Sequence, residues 1–184
     1  GYEAPWGMAQ FNLMVDTSQA PDSFADLGAV AEWAAQNPGR FSYPRPPDFI
    51  GSTFLKQVML ETVDADFTAE FDGNTETLAP VFTFLDALHP NLCRSGQSFP
   101  TSAPTLRDML ANLEVDIALS FNPSEAASLV LNDEVDDTVR AIGLDSGTVA
   151  NTHFVAIPVN SSVKQAAEIV ADLLMSPQAQ SRKA

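Results

Sequence analysis

Val115–Leu131, VDIALSFNPSEAASLVL, is the stretch that decides the fold. Val115 to Phe121 form a compact apolar run of strand length, suited to a strand buried on both faces, as parallel strands are. Asn122 and Pro123 then turn the chain, and SEAASLVL opens a helix. A strand that runs directly into a helix argues for a layered α/β fold.

The same alternation extends outward. Downstream, TVRAIGL (Thr138–Leu144) and HFVAIPV (His153–Val159) read as two further strands. The tail places Val163, Ala166, Ala167, Ile169, Val170, Leu173 and Leu174 on one broad apolar helical face, and SPQAQ starts a second short helix. Upstream, YEAPWGMAQFNLMV predicts a strand after Trp6. Ser23 is the expected cap of a helix whose Phe24, Leu27, Val30, Ala31 and Ala34 recur at helical spacing, with NPG (Asn37–Gly39) as its stop. RFSYP (Arg40–Pro44) is short and aromatic like a strand, and Pro44, Pro46 and Pro47 block both its extension and any helix through it. Helices are expected from Ser52 to about Asp64, from about Leu78 to Leu88, and from about Leu106 to Leu113 with Thr105 as cap.

A chain of 184 residues with 45% hydrophobic content buries a real core, which excludes disorder. Nine basic against 24 acidic residues give a formal charge of −15, so nucleic acid and anionic membrane faces are disfavoured partners. The acidity is spread in ones and twos, densest in NDEVDD (Asn132–Asp137), as on solvated faces. Cys93 stands alone and builds neither a disulfide nor, by itself, a metal site. No apolar run approaches the ~20 residues that cross a bilayer. The chain begins without Met, as a mature or trimmed piece does.

Catalytic signals are absent. His89 and His153 have no second His or Cys close by in sequence, so no metal is expected. Neither a G-x-S-x-G elbow nor a phosphate-binding glycine loop occurs, and no cofactor is implied.

Recognition signals remain. In PPDFIGSTFLKQ (Pro46–Gln57), Gly51 lets the backbone approach a ligand closely. The first helix amides, with the hydroxyls of Ser52 and Thr53, outline a receptor for an anion or polar group. The alternative is that Ser52 caps its own helix. Ser120, Phe121 and Asn122 end a strand, where ligands of open α/β sheets gather, or else make an ordinary Asn-Pro turn. Trp6, between Pro5 and Gly7, stacks on a flat or cationic ligand or packs into a core.

Four segments together, APWGMAQFNLMVD, NPGRFSYPRPPDFIGSTFLKQ, DIALSFNPSEA and NTHFVAIPVNSSVKQAAEIVADLLMSPQAQ, resemble the periplasmic solute-binding proteins of bacterial ABC importers. The resemblance is to the YnjB-type group, related to thiamine, iron and polyamine binders. It runs nearly end to end, and its most specific string is NPGRFSYP through PPDF, GS and FL. It implies a lobe of the type II periplasmic-binding-protein fold, three-layer α/β/α with a mixed, mostly parallel sheet. Full members are longer clamshells of two lobes, so this chain looks like a fragment. Residues 1–12 would be a crossover or hinge strand, 13–144 the second lobe, and 145–184 a return crossover strand with helices of the first lobe. Trp6 and Tyr43 would lie at the cleft lip, with Gly51, Ser52, Thr53, Ser120 and Asn122 facing the cleft.

The expected function is therefore the extracytoplasmic solute-binding component of an ABC importer. It would be periplasmic or membrane-tethered, act as a monomer, and hand a small polar solute to a membrane permease. The acidic surface suits cationic, thiamine-like solutes, whereas the Ser-Thr helix start suits an anionic group. The rival readings are the effector-sensing domain of a transcription regulator and an enzyme of unrecognised chemistry.

Overall fold

The computed structural model describes residues 3–70 and 74–183; Gly1 and Tyr2, at the head of the expected crossover strand, lie outside the described residues. The chain divides into two compact units, residues 11–149 and residues 1–10 with 150–184. It passes from one to the other at Gln10–Phe11 and again at Val149–Ala150.

In the smaller unit, β1 (Glu3–Gln10) pairs antiparallel with β5 (Ala150–Ala156). The register shifts between Pro5 and Gly7, which places Trp6 at the irregularity, as expected of a bulge at a residue flanked by Pro and Gly. Strand β1 thus includes Trp6 rather than following it. Helix α6 (Lys164–Met175) packs on β1, and the Gln180 amide on α7 (Pro177–Lys183) donates to the carbonyls of Leu174 and Trp6 at 2.7 and 2.9 Å. The apolar stripe of α6 is present, but Ile169, Val170 and Leu173 are 70, 54 and 62% exposed.

The larger unit holds a sheet in the order β3 (Ile117–Ser120), β2 (Asn12–Asp16), β4 (Val139–Ile142). Every residue of β2 and β3 is buried, so both faces of the sheet are covered, as a three-layer α/β arrangement requires. Both ladders are antiparallel: Leu13 lies opposite Leu119 on one side and Ile142 on the other. Strands β3 and β4 therefore run the same way, and Phe41 adds a parallel bridge to Ile117. The sheet is mixed, as expected, but "mostly parallel" needs correction. Strand β2 sits between two like-directed strands and makes each hydrogen-bonded ladder antiparallel. Burial on both faces, which VDIALSF displays, does not depend on strand direction.

Capping explains the helix starts. Helix α1 (Leu27–Gln36) is capped by Asp26 accepting from the Ala29 amide, not by Ser23, and the Leu27 amide is taken by Glu61 Oε2 at 2.7 Å. Helix α2 (Phe49–Thr62) starts at Asp48, earlier than Ser52. A short 3-10 turn, Thr75–Leu78, leads into α3 (Ala79–Leu88) with Pro80 in its first turn. Helix α4 (Ala103–Ala111) is capped by Ser102, whose Oγ accepts from the Thr105 amide; Thr105 is the capped residue, not the cap. Helix α5 (Glu125–Leu131) follows β3 after the Asn122-Pro123 turn. The RFSYP segment yields a single bridge rather than a strand, because Pro44 has no N–H to continue a ladder.

Phe11, Leu13, Phe41, Phe54, Leu106 and Ile117 are almost wholly buried and form the heart of this core. The end of the sheet where β3 begins is locked by an ion pair. Arg40 Nε donates to Asp116 Oδ2 at 2.7 Å, Nη2 pairs with Oδ1, and Nη1 donates to the Leu113 carbonyl at 2.8 Å. Asp16, which ends β2, lies close by in space: its amide donates to the Asp116 carbonyl at 2.9 Å. Burial alone would raise the Asp16 pKa, but hydrogen bonds from Thr138 and Ser18, with the Arg40 charge, hold the carboxyl below its ordinary value.

Candidate binding rim at the start of helix α2 and the end of strand β3

The opposite end of β3 gathers most of the expected site residues. The Phe49 ring, at the first position of α2, meets the Phe121 ring, one residue past β3, edge to face with centroids 5.0 Å apart and an interplanar angle of 84°. This contact brings the PPDFIGST and LSFN segments together.

The α2 N-terminus is not bare. Asp48 Oδ1 accepts from the amides of Ile50 and Gly51 at 2.8 and 3.2 Å, and Oδ2 accepts from the Ala103 amide, the first of α4, at 3.1 Å. One internal carboxylate thus serves two helix N-termini, whose partial positive charge it offsets. An external anion finds those amides occupied, so the receptor expected around Ser52 and Thr53 is corrected.

Gly51, Ser52 and Thr53 lie in the first and second turns rather than at the helix mouth. Gly51 is buried, and a Cβ there would stand 1.8 Å from the Pro44 carbonyl oxygen; the glycine admits the protein's own backbone, not a ligand. Thr53 is 3% exposed and its hydroxyl donates to the Phe49 carbonyl at 2.7 Å. Ser52 is half-buried, and its amide makes the first helical bond, to the Asp48 carbonyl at 2.9 Å. Only Ser52 of the three keeps an accessible side chain.

Tyr43 is corrected likewise. It is 4% exposed, with its ring against Phe54 at 4.5 Å and Phe99 at 5.1 Å, and it shares a 2.9 Å hydrogen bond with His89 Nε2. Burial pushes its hydroxyl pKa up to about 12 and lowers that of His89, against the partial opposition of Asp86. This pair belongs to the core rather than to a lip.

Ser120 is 1% exposed and tied inward. Its Oγ donates to Glu125 Oε2 and accepts from the Asn122 amide at 3.0 Å, while Glu125 Oε1 takes the Arg107 guanidinium at 3.0 Å. Asn122 is exposed, and its side-chain oxygen accepts from the Ser124 amide at 3.1 Å, shaping the turn into α5. Trp6 stands half-buried at the β1 bulge in the other unit. The accessible groups around the end of β3 are therefore Phe49, which is 55% exposed, with Phe121, Ser52, Asn122 and the partly exposed Asp48.

Phe49 and Asp48 escaped the sequence reading, although Pro-Pro-Asp before an apolar helix is a cap signal. So did Gln57. Buried on α2, it donates to Glu61 Oε1 at 2.7 Å and the Gly147 carbonyl at 3.0 Å, and accepts from the Val149 amide at 2.8 Å. The Val149 carbonyl in turn accepts from the Phe11 amide at 2.8 Å. Helix α2 thus holds both points at which the chain leaves this unit. Among the described residues there is no cluster of His, Cys, Asp and Glu able to hold a metal, and no helix long and apolar enough to cross a membrane.

The chain that carries this rim is matched along its full length, residues 1–184, by the family described as bacterial extracellular solute-binding protein. The chain belongs to that family. Within the solute-binding family it is 37% identical over 188 residues to Protein YnjB of Escherichia coli (strain K12), covering all of this chain and 48% of YnjB. Two solved structures share the fold. A periplasmic thiamin binding protein superposes with a TM-score of 0.64 at 15% identity, over 98% of this chain and 50% of that one. The spermidine/putrescine ABC transporter substrate-binding protein PotD of Streptococcus pneumoniae strain Canada MDR_19A gives 0.70 at 11% identity, over 97% and 49%. The chain spans about half the length of the relatives it matches.

Proposed function

We propose that this chain is part of the periplasmic or membrane-tethered solute receptor of an ABC importer, a monomer that captures a small polar solute, thiamine-like or another, and passes it to the membrane permease. Residues 13–144 would form most of one lobe, residues 1–12 and the start of 145–184 the crossovers, and the remaining helices part of the other lobe. The observation that carries this reading is the family match along the whole chain. The exposed apolar stripe of α6 agrees with it, since the rest of such a lobe in a longer protein would cover Ile169, Val170 and Leu173. No catalytic or cofactor role is assigned. Capture proceeds by closure of the longer protein on its solute, stabilised by contacts made only in the closed state.

A thermal-shift titration of the full-length protein against vitamins, polyamines and oxyanions tests this. A solute that binds only the folded form raises the melting temperature with the logarithm of its concentration. If no solute shifts it while specific DNA binding or turnover is found, the regulator or the enzyme reading takes its place.

A further inference from the structure

We infer that Phe49 and Phe121 form an aromatic platform selecting a flat, cationic ring in the solute; this deepens the receptor reading above and rests on it. Phe49 is 55% exposed although the α2 residues around it, Ile50, Thr53 and Phe54, are buried, so the core has no use for its ring. Phe121 is half-buried at the carboxyl end of β3, where ligands of α/β sheets gather, and its edge-to-face contact fixes the attitude of Phe49. The platform is thus preorganised before any solute arrives.

Charge decides which solutes suit it. The α2 and α4 amides are engaged by Asp48, and Arg107 is paired with Glu125. Arg45, three residues before Asp48, is exposed and takes part in none of the ion pairs among the described residues, so it is the guanidinium nearest in sequence to Asp48 that remains for an anion. Aromatic faces carry negative potential, and the net charge of −15 draws cations toward the protein. A flat cation gains from both, whereas a flexible polyamine gains from charge alone.

The test uses full-length protein, with thiamine and N1-methylnicotinamide as flat cations, spermidine as a flexible cation and fructose 6-phosphate as an anion. Calorimetric titration should show a flat cation binding. Phe49→Leu or Phe121→Leu should weaken it about tenfold, Phe49→Trp should retain it, and Phe82→Leu, an exposed phenylalanine on α3, should leave it unchanged. Apo melting temperatures of the variants establish that they fold. Tight binding of spermidine or fructose 6-phosphate, indifferent to both Leu substitutions, would overturn the platform while sparing the receptor reading. Silence from all four probes would overturn the platform, and silence across the wider solute panel the receptor reading as well.

Discussion

The Pro44 carbonyl oxygen occupies the space that a side chain on residue 51 would need: a Cβ built on Gly51 lies 1.8 Å from that oxygen and 2.8 Å from its carbon. The chain leaves Pro44, turns through Pro46 and Pro47, and returns as α2 against its own incoming backbone. Closeness of two backbones, not openness to a ligand, explains this glycine.

Gly51→Ala should therefore destabilise the larger unit severely, by about 3 kcal/mol or more, because both obstructing atoms are backbone and cannot swing aside. Gly143→Ala is the control, since nothing lies within 4 Å of its Cβ position. Urea unfolding of both variants measures the difference; equal midpoints would contradict the packing described.

Asp48 caps two helices at once. Asp48→Ala should cost about 2–4 kcal/mol, the sum of two caps at ~1–2 each, while Asp48→Asn should lose less because it keeps a side-chain acceptor. Chemical denaturation followed by circular dichroism gives the comparison.

Gln57→Leu removes the donors to Gly147 and Glu61 and the acceptor for Val149. About 3 kcal/mol should be lost, as groups left without partners outweigh the added apolar contact. Hydrogen exchange at the Val149 amide should accelerate more than at the Leu119 amide, in the buried β3 ladder, which would separate local release from global loosening.

Alkaline stability should depend on Tyr43. Its folded pKa is raised from 10.0 to about 12, so between those values the folded state holds a proton that the unfolded state releases. The contribution is fully present below pH 10 and disappears as pH rises through about 12, amounting to as much as ~3 kcal/mol at ~1.4 per unit. Tyr43→Phe should flatten the fall in stability over that window, read from urea midpoints at successive pH values. His89 acts on the acid side. Its lowered pKa favours the neutral ring on folding, so this contribution is present above the ordinary 6.5 and is lost as pH falls through the folded value.

The α/β order, the helices and the strand before Asn122-Pro123 were legible in the sequence, because apolar spacing and turn residues are local properties of the chain. Cap positions were legible only in part. Ser23, Ser52 and Thr105 are good caps by type, but Asp26, Asp48 and Ser102 take that role because their oxygens meet the free amides once the loops are placed. Strand direction was not legible at all, since a strand covered on both faces has the same composition whichever way its neighbours run. The tertiary structure alone decided which polar groups face outward. Tyr43, Thr53 and Ser120 are satisfied within the core, while Phe49, an apolar residue by type, is left in water. Hydrogen bonds between residues distant in sequence, such as Asp48 to Ala103 and Gln57 to Val149, settle that choice, and no local pattern encodes them.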